Sequence, residues 1–448
     1  MGRSRKKLSD QPFEVDITAL DAKGLGLTEF ADKTLRVFDA LPGEKVVARY
    51  LFGRSLRGRA ETLRVLQASV DRVEPRCPQF GDCGACSLQH LSMDAQLQRK
   101  ENILLATLQG AGLVVSPDMV YAPLTGPLWN YRRKARLSVR DVVAKGRVLV
   151  GFRERNSRYV ADMDQCFVLH DVIADALPKL ARLVETMDCR TRIPQVEVAC
   201  GDEQCAMILR HLEPLSDNDL ESLRAFALQT GLGIYLQAAG PDSVRLFEPA
   251  GFQLEYAIEP LGLRFVFEPL DFIQVNGGLN QQMVMRALDL LDPQSGDTVL
   301  DLFCGLGNFT LPLATRAAHV TGIEGSAEMV ERARGNAQLN GLANAQFQQA
   351  DLYRQTEDRP WPDKGYNKVL LDPPRSGALE LLPWIAASNV SRVLYISCNP
   401  ETLARDAGLL VDTHGFRLQG TGIINMFPHT THSEAMALFE RPINGEMS

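Results

Sequence analysis

The sequence predicts an α/β multidomain protein with three parts: an N-terminal OB-like β-barrel, a central α+β domain that carries a metal site, and a C-terminal Rossmann-like domain. Short strands separated by turns fill the stretch from Phe13 to about Val65, which is typical of a small barrel. Three cysteines crowd together between Cys77 and Cys86. From Thr298 onward a buried strand, a glycine turn and a helix follow one another.

Length and composition limit the possibilities further. The chain has 448 residues, 45% of them hydrophobic, which suits two or three well-packed domains. No apolar run reaches the roughly 20 residues that span a bilayer, and the stretch from Leu8 to Ile17 is too polar for a secretory signal. We therefore expect a soluble, cytoplasmic and monomeric protein with no membrane partner. Nine cysteines in such a protein indicate metal binding, catalysis or packing rather than disulfides.

Charge is distributed unevenly along the chain. The net charge of −7 by itself argues against a nucleic-acid partner. Residues 1–76, however, contain 15 lysines and arginines against 11 acidic residues, and residues 127–160 contain 10 against 2. This asymmetry is typical of a protein that meets a phosphate backbone with one face.

Residues 10–68 are predicted to form the barrel, behind a short basic tail at Met1–Lys7. The turns at Gly24-Leu25-Gly26 and Leu41-Pro42-Gly43-Glu44 make the layout similar to the TRAM domain, an OB-like RNA-binding module. One departure is Asp32, which stands where that family commonly has glycine. The later part of the stretch carries five arginines: Arg49, Arg54, Arg57, Arg59 and Arg64.

The next feature is a cysteine cluster with the spacing Cys-x5-Cys-x2-Cys, formed by Cys77, Cys83 and Cys86. Three thiolates in a loop rich in glycine and proline indicate a metal site that needs a fourth ligand, for which Cys166 is the candidate. Such ligands suit zinc or an iron–sulfur cluster, and the spacing alone does not choose between them. The isolated cysteines are assigned to packing: Cys189, Cys200 and Cys205.

Two stretches connect this site to the C-terminal part. Residues 93–124 are predicted to form a helical segment that packs on the catalytic domain. The helix runs from Asp94 to Gln109 and has four apolar residues on one side: Leu97, Ile103, Leu104 and Leu108. A predicted strand from Trp129 to Arg140 and the segment Gly151–Arg158 are dense in cations beside aromatic rings, a composition typical of RNA-binding surfaces. Residues 71–92 and 125–270 are therefore predicted to form the central RNA-binding domain, with Val168 to Leu270 as scaffold.

Residues 271–448 carry the signature of a nucleotide-type cofactor site. Strand Thr298–Leu302 leads into Gly305-x-Gly307, and Glu324 follows at the end of the next strand, where an acid holds a ribose diol. Thr310 occupies the place of the third glycine of NAD-binding proteins, which argues against NAD. The run Asp-x-Phe-x-Gly-x-Gly is similar to motif I of S-adenosyl-L-methionine-dependent class I methyltransferases. Two further acids end later strands of this predicted sheet: Asp351 and Asp372.

Cys398 follows the buried strand Val393–Ser397 and is therefore predicted to lie at the ligand-binding edge of the sheet. Methyl transfer to C5 of a pyrimidine needs such a thiol, because addition of a thiolate at C6 creates the enolate that attacks the methyl group. The C5 proton must then leave, and Glu434 is the predicted base, with His432 as the alternative. Asp372 is expected to bind the uracil edge.

Six motifs together resemble the RNA uracil-5-methyltransferase family: the cysteine cluster, Phe272-Ile-Gln274-Val-Asn276, Asp-Leu-Phe-Cys-Gly-x-Gly-Asn-Phe, Asp-Pro-Pro-Arg, Ser-Cys-Asn-Pro and His-x-Glu. The resemblance implies nucleophile Cys398, base Glu434 and Phe272 near the target base. It implies a [4Fe–4S] cluster on Cys77, Cys83, Cys86 and Cys166, and S-adenosyl-L-methionine contacts at Gln274, Phe303, Asn308, Glu324, Asp351 and Asp372. Because it has both the TRAM features and the cysteines of the cluster, the chain resembles the branch of the family that methylates a stem-loop uridine of bacterial 23S ribosomal RNA.

Three alternatives remain open from the sequence. Within the family the transfer-RNA enzymes lack both TRAM and the cluster, so a tRNA uracil-5-methyltransferase is the nearest rival. Asp-Pro-Pro also occurs in amine methyltransferases, which normally have an aromatic residue next, whereas this chain has Arg375. The third alternative is a cluster-bearing RNA-binding or redox-sensing protein that has lost activity.

Overall fold

A computed structural model describes residues 11–52, 56–354 and 364–441 of the chain. The basic tail Met1–Lys7 and Arg54 lie outside the described residues. Within these ranges, no helix combines the length and the apolar character needed to cross a bilayer.

The N-terminal part is a six-stranded sheet in the order β1-β5-β6-β4-β3-β2, in which only β4 and β6 run parallel. Phe13 of the edge strand β1 stacks on Phe30 of β3 at 4.3 Å between ring centroids, so the sheet curls back toward its other edge. Val37, Val46 and Ala60 fill the space inside the curl and are fully buried. The strands are β1 Phe13–Asp16, β2 Ala19–Leu20, β3 Gly26–Phe30, β4 Lys33–Phe38, β5 Lys45–Tyr50 and β6 Arg59–Gln67.

After the cysteine cluster comes helix α1, Met93–Gly110, which begins where the Ser92 hydroxyl accepts the Ala95 N–H. Leu104 and Leu108 are buried against the C-terminal sheet, as the predicted helix requires. The buried stripe differs from the prediction at its N-terminal end, because Gln96 and Lys100 are buried there while Leu97 and Ile103 are only half-buried. Both polar side chains have hydrogen-bond partners that the sequence does not reveal.

The central part contains a second six-stranded sheet, in the order β12-β11-β10-β9-β7-β8, with two helices. The predicted strand from Trp129 to Arg140 is wrong at its N-terminal end, because β7 begins only at Lys134. The N–H groups of Asn130 and Arg132 instead donate to the backbone carbonyls of residues 167 and 168, outside the ladder. The elements are β7 Lys134–Val142, β8 Arg147–Gly151, α2 Asp171–Thr186, β9 Gln195–Cys200, β10 Cys205–Arg210, α3 Asp217–Thr230, β11 Gly233–Gln237 and β12 Val244–Glu248.

The expectation that Cys200 and Cys205 are separate packing residues is wrong. They are direct partners in the antiparallel β9–β10 hairpin, which brings their Cα atoms to 4.0 Å, and their sulfurs form a disulfide. Cys205 follows Cys200 by five positions in sequence, so only the hairpin register makes them neighbours. Cys189 is a buried free thiol in the same core, as expected of a packing residue.

The C-terminal part is a seven-stranded sheet in the order β17-β16-β15-β18-β19-β21-β20, parallel except for β21. It follows a two-stranded hairpin and helix α4. The carboxyl ends of β15, β16, β18 and β19 meet at one edge, where open α/β sheets bind ligands. The elements are β13 Leu254–Ile258, β14 Leu263–Phe267, α4 Gly277–Leu291, β15 Thr298–Leu302, α5 Thr310–Ala314, β16 His319–Glu324, α6 Ala327–Leu339, β17 Ala345–Gln349, β18 Lys368–Leu371, α7 Leu382–Ala387, β19 Arg392–Ser397, α8 Pro400–Asp412, β20 Arg417–Ile424 and β21 Glu434–Glu440.

Candidate active site

One cavity of about 1280 Å³ lies at the carboxyl edge of the C-terminal sheet. It brings together the residues that the sequence proposed for catalysis, base contact or cofactor binding, with one exception. The alternative base His432, although within the described part of the chain, is not among its lining residues. The lining includes Phe272, Gln274, Phe303, Asn308, Glu324, Asp351, Asp372, Cys398 and Glu434.

Cys398 lies in the turn between β19 and α8 and is half-buried. Asn399 caps the helix by accepting the Glu401 N–H at 3.2 Å, so the thiol lies just before a helix N-terminus. A helix N-terminus favours negative charge and hence the thiolate. The Ser397 hydroxyl braces the turn, since it donates to the Asn399 carbonyl at 3.0 Å and accepts the Asn399 N–H at 3.1 Å.

The predicted base and the predicted nucleophile lie next to the last pair of one strand ladder. Ser397, the last residue of β19, pairs with Ala435 of β21; Cys398 directly follows Ser397, and Glu434 directly precedes Ala435. Both side chains line the same cavity, and the charge of Glu434 acts on the Cys398 thiol. Glu434 is only 4% exposed, and its Oε2 is buried without a hydrogen-bond partner among the described residues. Burial raises the pKa of Glu434, and the nearby charge of Asp372 raises it further. An acid held this way is poised to accept a proton near neutral pH.

Burial also raises the pKa of the Cys398 thiol, with smaller contributions from the charges of Glu434 and Asp372, whereas Arg375 lowers it. Burial likewise raises the pKa of Asp372. Arg375 belongs to the Asp-Pro-Pro-Arg loop, and its carbonyl accepts the Asn399 side-chain amide at 3.0 Å. The loop that carries Asp372 is therefore tied to the turn that carries Cys398.

The glycine turn after β15 has the geometry of a cofactor loop. Phe303 has a φ of +67°, a conformation that a non-glycine residue rarely adopts outside functional sites. Gly305 and Gly307, with φ of +55° and +95°, continue the turn. The Glu324 carboxylate accepts the Gly305 N–H at 3.1 Å through Oε2 and the Ser326 N–H at 3.0 Å through Oε1. These bonds hold the carboxylate at the cavity wall, where its remaining lone pairs can accept hydrogen bonds from hydroxyl groups.

Two residues that sequence reasoning missed hold Asn308. The Tyr256 hydroxyl donates to Asn308 Oδ1 at 2.8 Å, and the amides of Asn280 and Asn308 exchange two hydrogen bonds at 2.9 and 3.0 Å. Asn308 thus keeps a fixed amide orientation with one N–H left for a ligand. The available signal was a buried tyrosine in an apolar hairpin, which needs a partner for its hydroxyl.

The opposite walls of the cavity come from other elements. Asp351 is exposed, and its carboxylate accepts the Tyr353 N–H at 3.0 Å. Phe272 is 69% exposed, an unusual state for phenylalanine and one suited to stacking on a base. The cavity is also lined by four residues from the part of the chain that the sequence assigned to scaffold: Pro241, Asp242, Val244 and Arg245.

The four cysteines predicted as a metal site lie beside one another in the central core. Cys83 and Cys166 are buried, and Cys77 and Cys86 are half-buried. Burial raises the pKa of all four thiols, and the charges of neighbouring members raise it further for Cys83, Cys86 and Cys166. In the described chain no three of their sulfurs lie within 4.8 Å of one another; that spacing is found for a different set, His170, Cys200 and Cys205.

A family model described as tRNA (Uracil-5-)-methyltransferase matches residues 258–442. Proteins named 23S rRNA (uracil(1939)-C(5))-methyltransferase RlmD are similar along nearly the whole chain. The relative from Alkalilimnicola ehrlichii is 49% identical over 98% of this chain and 99% of its own, and that from Stenotrophomonas maltophilia strain K279a is 46% identical over 98% and 100%.

A solved structure shares the fold. The Pyrococcus abyssi tRNA (uracil-54, C5)-methyltransferase, in complex with S-adenosyl-L-homocysteine, matches with a TM-score of 0.73 and covers 95% of this chain and 100% of that one. At 22% identity this likeness concerns the fold alone. The sequence identity along the full length of the curated relatives is decisive: the chain belongs to the RNA uracil-5-methyltransferase family.

Proposed function

We propose that this protein transfers a methyl group from S-adenosyl-L-methionine to C5 of a uridine in 23S ribosomal RNA. The observation that carries the proposal is that Cys398 and Glu434 adjoin the last pair of the β19–β21 ladder and line one cavity with the glycine turn of a methyl-donor fold. Methylation of an exocyclic amine needs neither a thiol nor a second base beside it. This pairing therefore favours carbon as the acceptor.

The proposed reaction has three steps. The Cys398 thiolate adds to C6 of the flipped uracil, which places the electron pair on C5 as an enolate. C5 then attacks the methyl group of the sulfonium, forming the carbon–carbon bond and releasing S-adenosyl-L-homocysteine. Glu434 removes the C5 proton, the C5–C6 double bond re-forms, and the Cys398 sulfur leaves as thiolate.

The electrostatics of the site suit the first and the last step of the proposed reaction. A raised Glu434 pKa makes the carboxylate a stronger base than an exposed glutamate. The raised pKa of Cys398 makes its thiolate more nucleophilic, and Arg375 together with the N-terminus of α8 opposes the rise. Asp372 is proposed to bind the uracil edge, because burial raises its pKa and a protonated carboxyl can donate to a carbonyl oxygen.

Each proposed cofactor residue is assigned to the part of S-adenosyl-L-methionine that its side chain can bind. We assign Glu324 to the ribose hydroxyls, Asp351 to the adenine amine, and Asn308 with Gln274 to the amino acid end of S-adenosyl-L-methionine. Phe303 supplies an aromatic face at the same wall. Phe272 is assigned to the target base, because its exposed ring borders the cavity.

The four cysteines are proposed to hold the [4Fe–4S] cluster that the family resemblance implies, because thiolates are its usual ligands. The charges of neighbouring members raise the pKa of Cys83, Cys86 and Cys166, so the thiols lie close enough to share one group. Bound iron would supply the positive charge that stabilises the four thiolates, reversing the rise in their pKa.

The RNA assignment combines the surface and the relatives. We propose that the curled N-terminal sheet is a TRAM domain, and that it and the 153–158 segment form one RNA-binding face. Arg59 donates to Asn156 at 2.9 Å, and Arg155 donates to Asp39 at 2.8 Å, so the two parts are bonded together. Because relatives at 46–49% identity are named for uracil 1939 of 23S rRNA, we propose the corresponding uridine as the target.

The test is methylation of defined RNA by the purified protein. Unmodified transcripts of the 23S rRNA region and of tRNA are incubated with isotope-labelled S-adenosyl-L-methionine, digested, and mapped by mass spectrometry. Label in 5-methyluridine at the position matching 1939 supports the proposal. Label only in tRNA supports the tRNA alternative, label on an exocyclic amine supports an amine methyltransferase, and absence of label from every RNA supports the non-catalytic alternative.

A further inference from the structure

His429 lies in the loop that leads from β20 to Glu434, and it is tied to three other parts of the chain. It is 5% exposed and has a φ of +64°, which histidine rarely adopts. Conformations of this kind persist only where surrounding contacts hold them. At His429 those contacts come from residues more than 290 positions earlier in the sequence.

The backbone of His429 is bonded to α1 and to the segment after the cysteine cluster. Its N–H donates to Gln96 Oε1 at 2.9 Å. Its carbonyl accepts the N–H groups of both Ser87 and Leu88, each at 2.9 Å, immediately after Cys86. Gln96 in turn donates to the carbonyls of Leu88 and Leu91, so the helix, the cysteine segment and the loop form one hydrogen-bonded unit.

The ring of His429 makes the third connection. It stacks on Trp129 at 4.0 Å between centroids, and its Nε2 donates to the Leu128 carbonyl at 3.1 Å. Trp129 is itself packed between neighbours of two metal-site cysteines. The Arg76 guanidinium, next to Cys77, lies 5.2 Å from the Trp129 ring, and Phe167, next to Cys166, meets it edge-on at 6.4 Å.

The rest of the loop is held in the same way. Tyr131 donates to the Pro428 carbonyl at 3.1 Å, and Lys100 of α1 donates to the Phe427 carbonyl at 3.0 Å and to Asn425 at 2.7 Å. The Glu434 carboxyl, by contrast, has an oxygen with no hydrogen-bond partner among the described residues. The position of this carboxyl therefore depends on its backbone, which is held by the pairing of Glu434 with Ile424 of β20 and by the loop that precedes it.

We propose that His429 is a positioning residue, through which the cysteine segment and α1 hold the Glu434 carboxylate at Cys398. The proposal rests on the proposed function above, because it assigns Glu434 the removal of the C5 proton. It also gives the cysteine segment a role in catalysis: the segment braces the general base without touching the substrate.

The predicted defect is specific to one step. Misplacement of a base by about 1 Å costs on the order of a hundredfold in rate. His429→Asn keeps a residue that tolerates positive φ but removes the stack on Trp129 and the bond to Leu128. We expect Cys398 to add to the RNA and the methyl group to transfer, while release of the adduct slows by about tenfold to a hundredfold.

The experiment compares four proteins on 23S rRNA transcript: the natural chain, His429→Asn, Glu434→Gln and the matched control His414→Asn. His414 lies just after the end of α8. The readouts are the covalent protein–RNA band on a denaturing gel, 5-methyluridine formed, thermal midpoint and S-adenosyl-L-homocysteine affinity. Accumulated adduct in His429→Asn, with cofactor affinity and midpoint close to those of His414→Asn, supports the proposal. Adduct release at the rate of the natural chain overturns it.

A second variant covers the case in which His429→Asn fails to fold. Trp129→Leu removes the stack and leaves the His429 backbone bonds in place, and it must also accumulate adduct. Equal losses of folding, cofactor affinity and adduct formation in both variants overturn the proposal in favour of a merely structural role. If the natural chain forms no 5-methyluridine and Glu434→Gln forms no adduct, the proposed function itself fails, and the inference fails with it.

Hydrogen–deuterium exchange tests the link to the cysteine segment without RNA. Cys83→Ser should increase exchange in the peptide that spans residues 427–434, because the bonds from Ser87 and Leu88 to His429 loosen. Cys189→Ser is the control, since Cys189 lies in the same core away from this loop. Unchanged exchange in Cys83→Ser contradicts the link.

Discussion

Ser397 and Ala435 are direct partners in the antiparallel β19–β21 ladder, and this pairing fixes where the chemistry takes place. Cys398 directly follows Ser397 and Glu434 directly precedes Ala435, although 35 residues of helix, strand and loop separate Cys398 from Glu434 in sequence. A parallel neighbour would have placed a different residue there. The reversed strand β21 at this edge is therefore what brings the proposed base Glu434 to the proposed nucleophile Cys398.

Cys398→Ala is expected to abolish methyl transfer and formation of the covalent RNA adduct. The thiol is the only group proposed to activate C5, so the rate should fall by at least about 10⁴-fold, the scale seen when a nucleophile is removed. Methyl incorporation and the gel-shifted adduct measure the two effects. The control Cys189→Ala changes a buried cysteine of the central core, and it should retain activity. Methylation by Cys398→Ala would rule out the thiol mechanism.

Glu434→Gln is expected to trap the adduct, because glutamine cannot accept the C5 proton. Turnover should fall by about 10²- to 10⁴-fold, while addition and methyl transfer continue. Single-turnover gels with labelled RNA follow the trapped species. Glu440→Gln, at the other end of the same strand, is the matched control. Rapid release of product by Glu434→Gln would mean that His432 or water removes the proton.

Asp372→Asn is expected to lower the pKa of Cys398. Asp372 and Glu434 are both ionised at the alkaline pH where the thiol titrates, and their charges oppose the thiolate. Removing one charge stabilises the thiolate, so the pH midpoint for alkylation of Cys398 by iodoacetamide should move down. Arg375→Met should move the midpoint up, since Arg375 lowers the pKa. Mass spectrometry of the Cys398 peptide gives both midpoints, and shifts of the opposite sign would contradict the assigned electrostatics.

Tyr256→Phe is expected to weaken binding of S-adenosyl-L-homocysteine by about threefold to tenfold. The substitution removes one hydrogen bond that fixes the Asn308 amide, which corresponds to roughly 0.5–1.5 kcal/mol. Isothermal titration calorimetry measures the change. Tyr235→Phe, another buried tyrosine of the same core, should bind the cofactor as the natural chain does. Equal affinities for Tyr256→Phe and Tyr235→Phe would show that Asn308 does not need this support.

Anaerobically purified protein is expected to be brown and to contain about four iron atoms per chain, as a [4Fe–4S] cluster requires. Cys166→Ser should lose most of the iron, because one of the four ligands is gone. Broad visible absorbance and metal analysis report the loss, and Cys189→Ser should keep both colour and iron. A colourless natural protein that carries zinc would overturn the cluster assignment.

Some features follow from local sequence alone. The strands that end at Glu324, Asp372 and Cys398 are apolar runs followed by turn residues, and the structure has β16, β18 and β19 at those places. Because parallel strands align their carboxyl ends at one edge, the sequence was sufficient to gather these residues into one cavity. The sequence also named Cys166 as the candidate fourth ligand beside the cysteine cluster, and Cys166 lies in the same core as Cys83; the metal site itself stays a prediction.

Other features depend on contacts between distant segments. Gln96 and Lys100 occupy places where the helix pattern predicts apolar residues, and only the packing of α1 on the 425–429 loop explains their burial. The Cys200–Cys205 disulfide depends on the register of a hairpin, which residue type alone does not reveal.

The sequence by itself determined the family and the strand ends that carry the proposed reactive groups, because these depend on residue type and local pattern. The tertiary structure alone decided which groups support them: Tyr256 is bonded to Asn308, and His429 is bonded to Gln96 and to the segment after Cys86. The physical reason is that a buried polar side chain must find a hydrogen-bond partner, and the chain can supply that partner from any distance along the sequence.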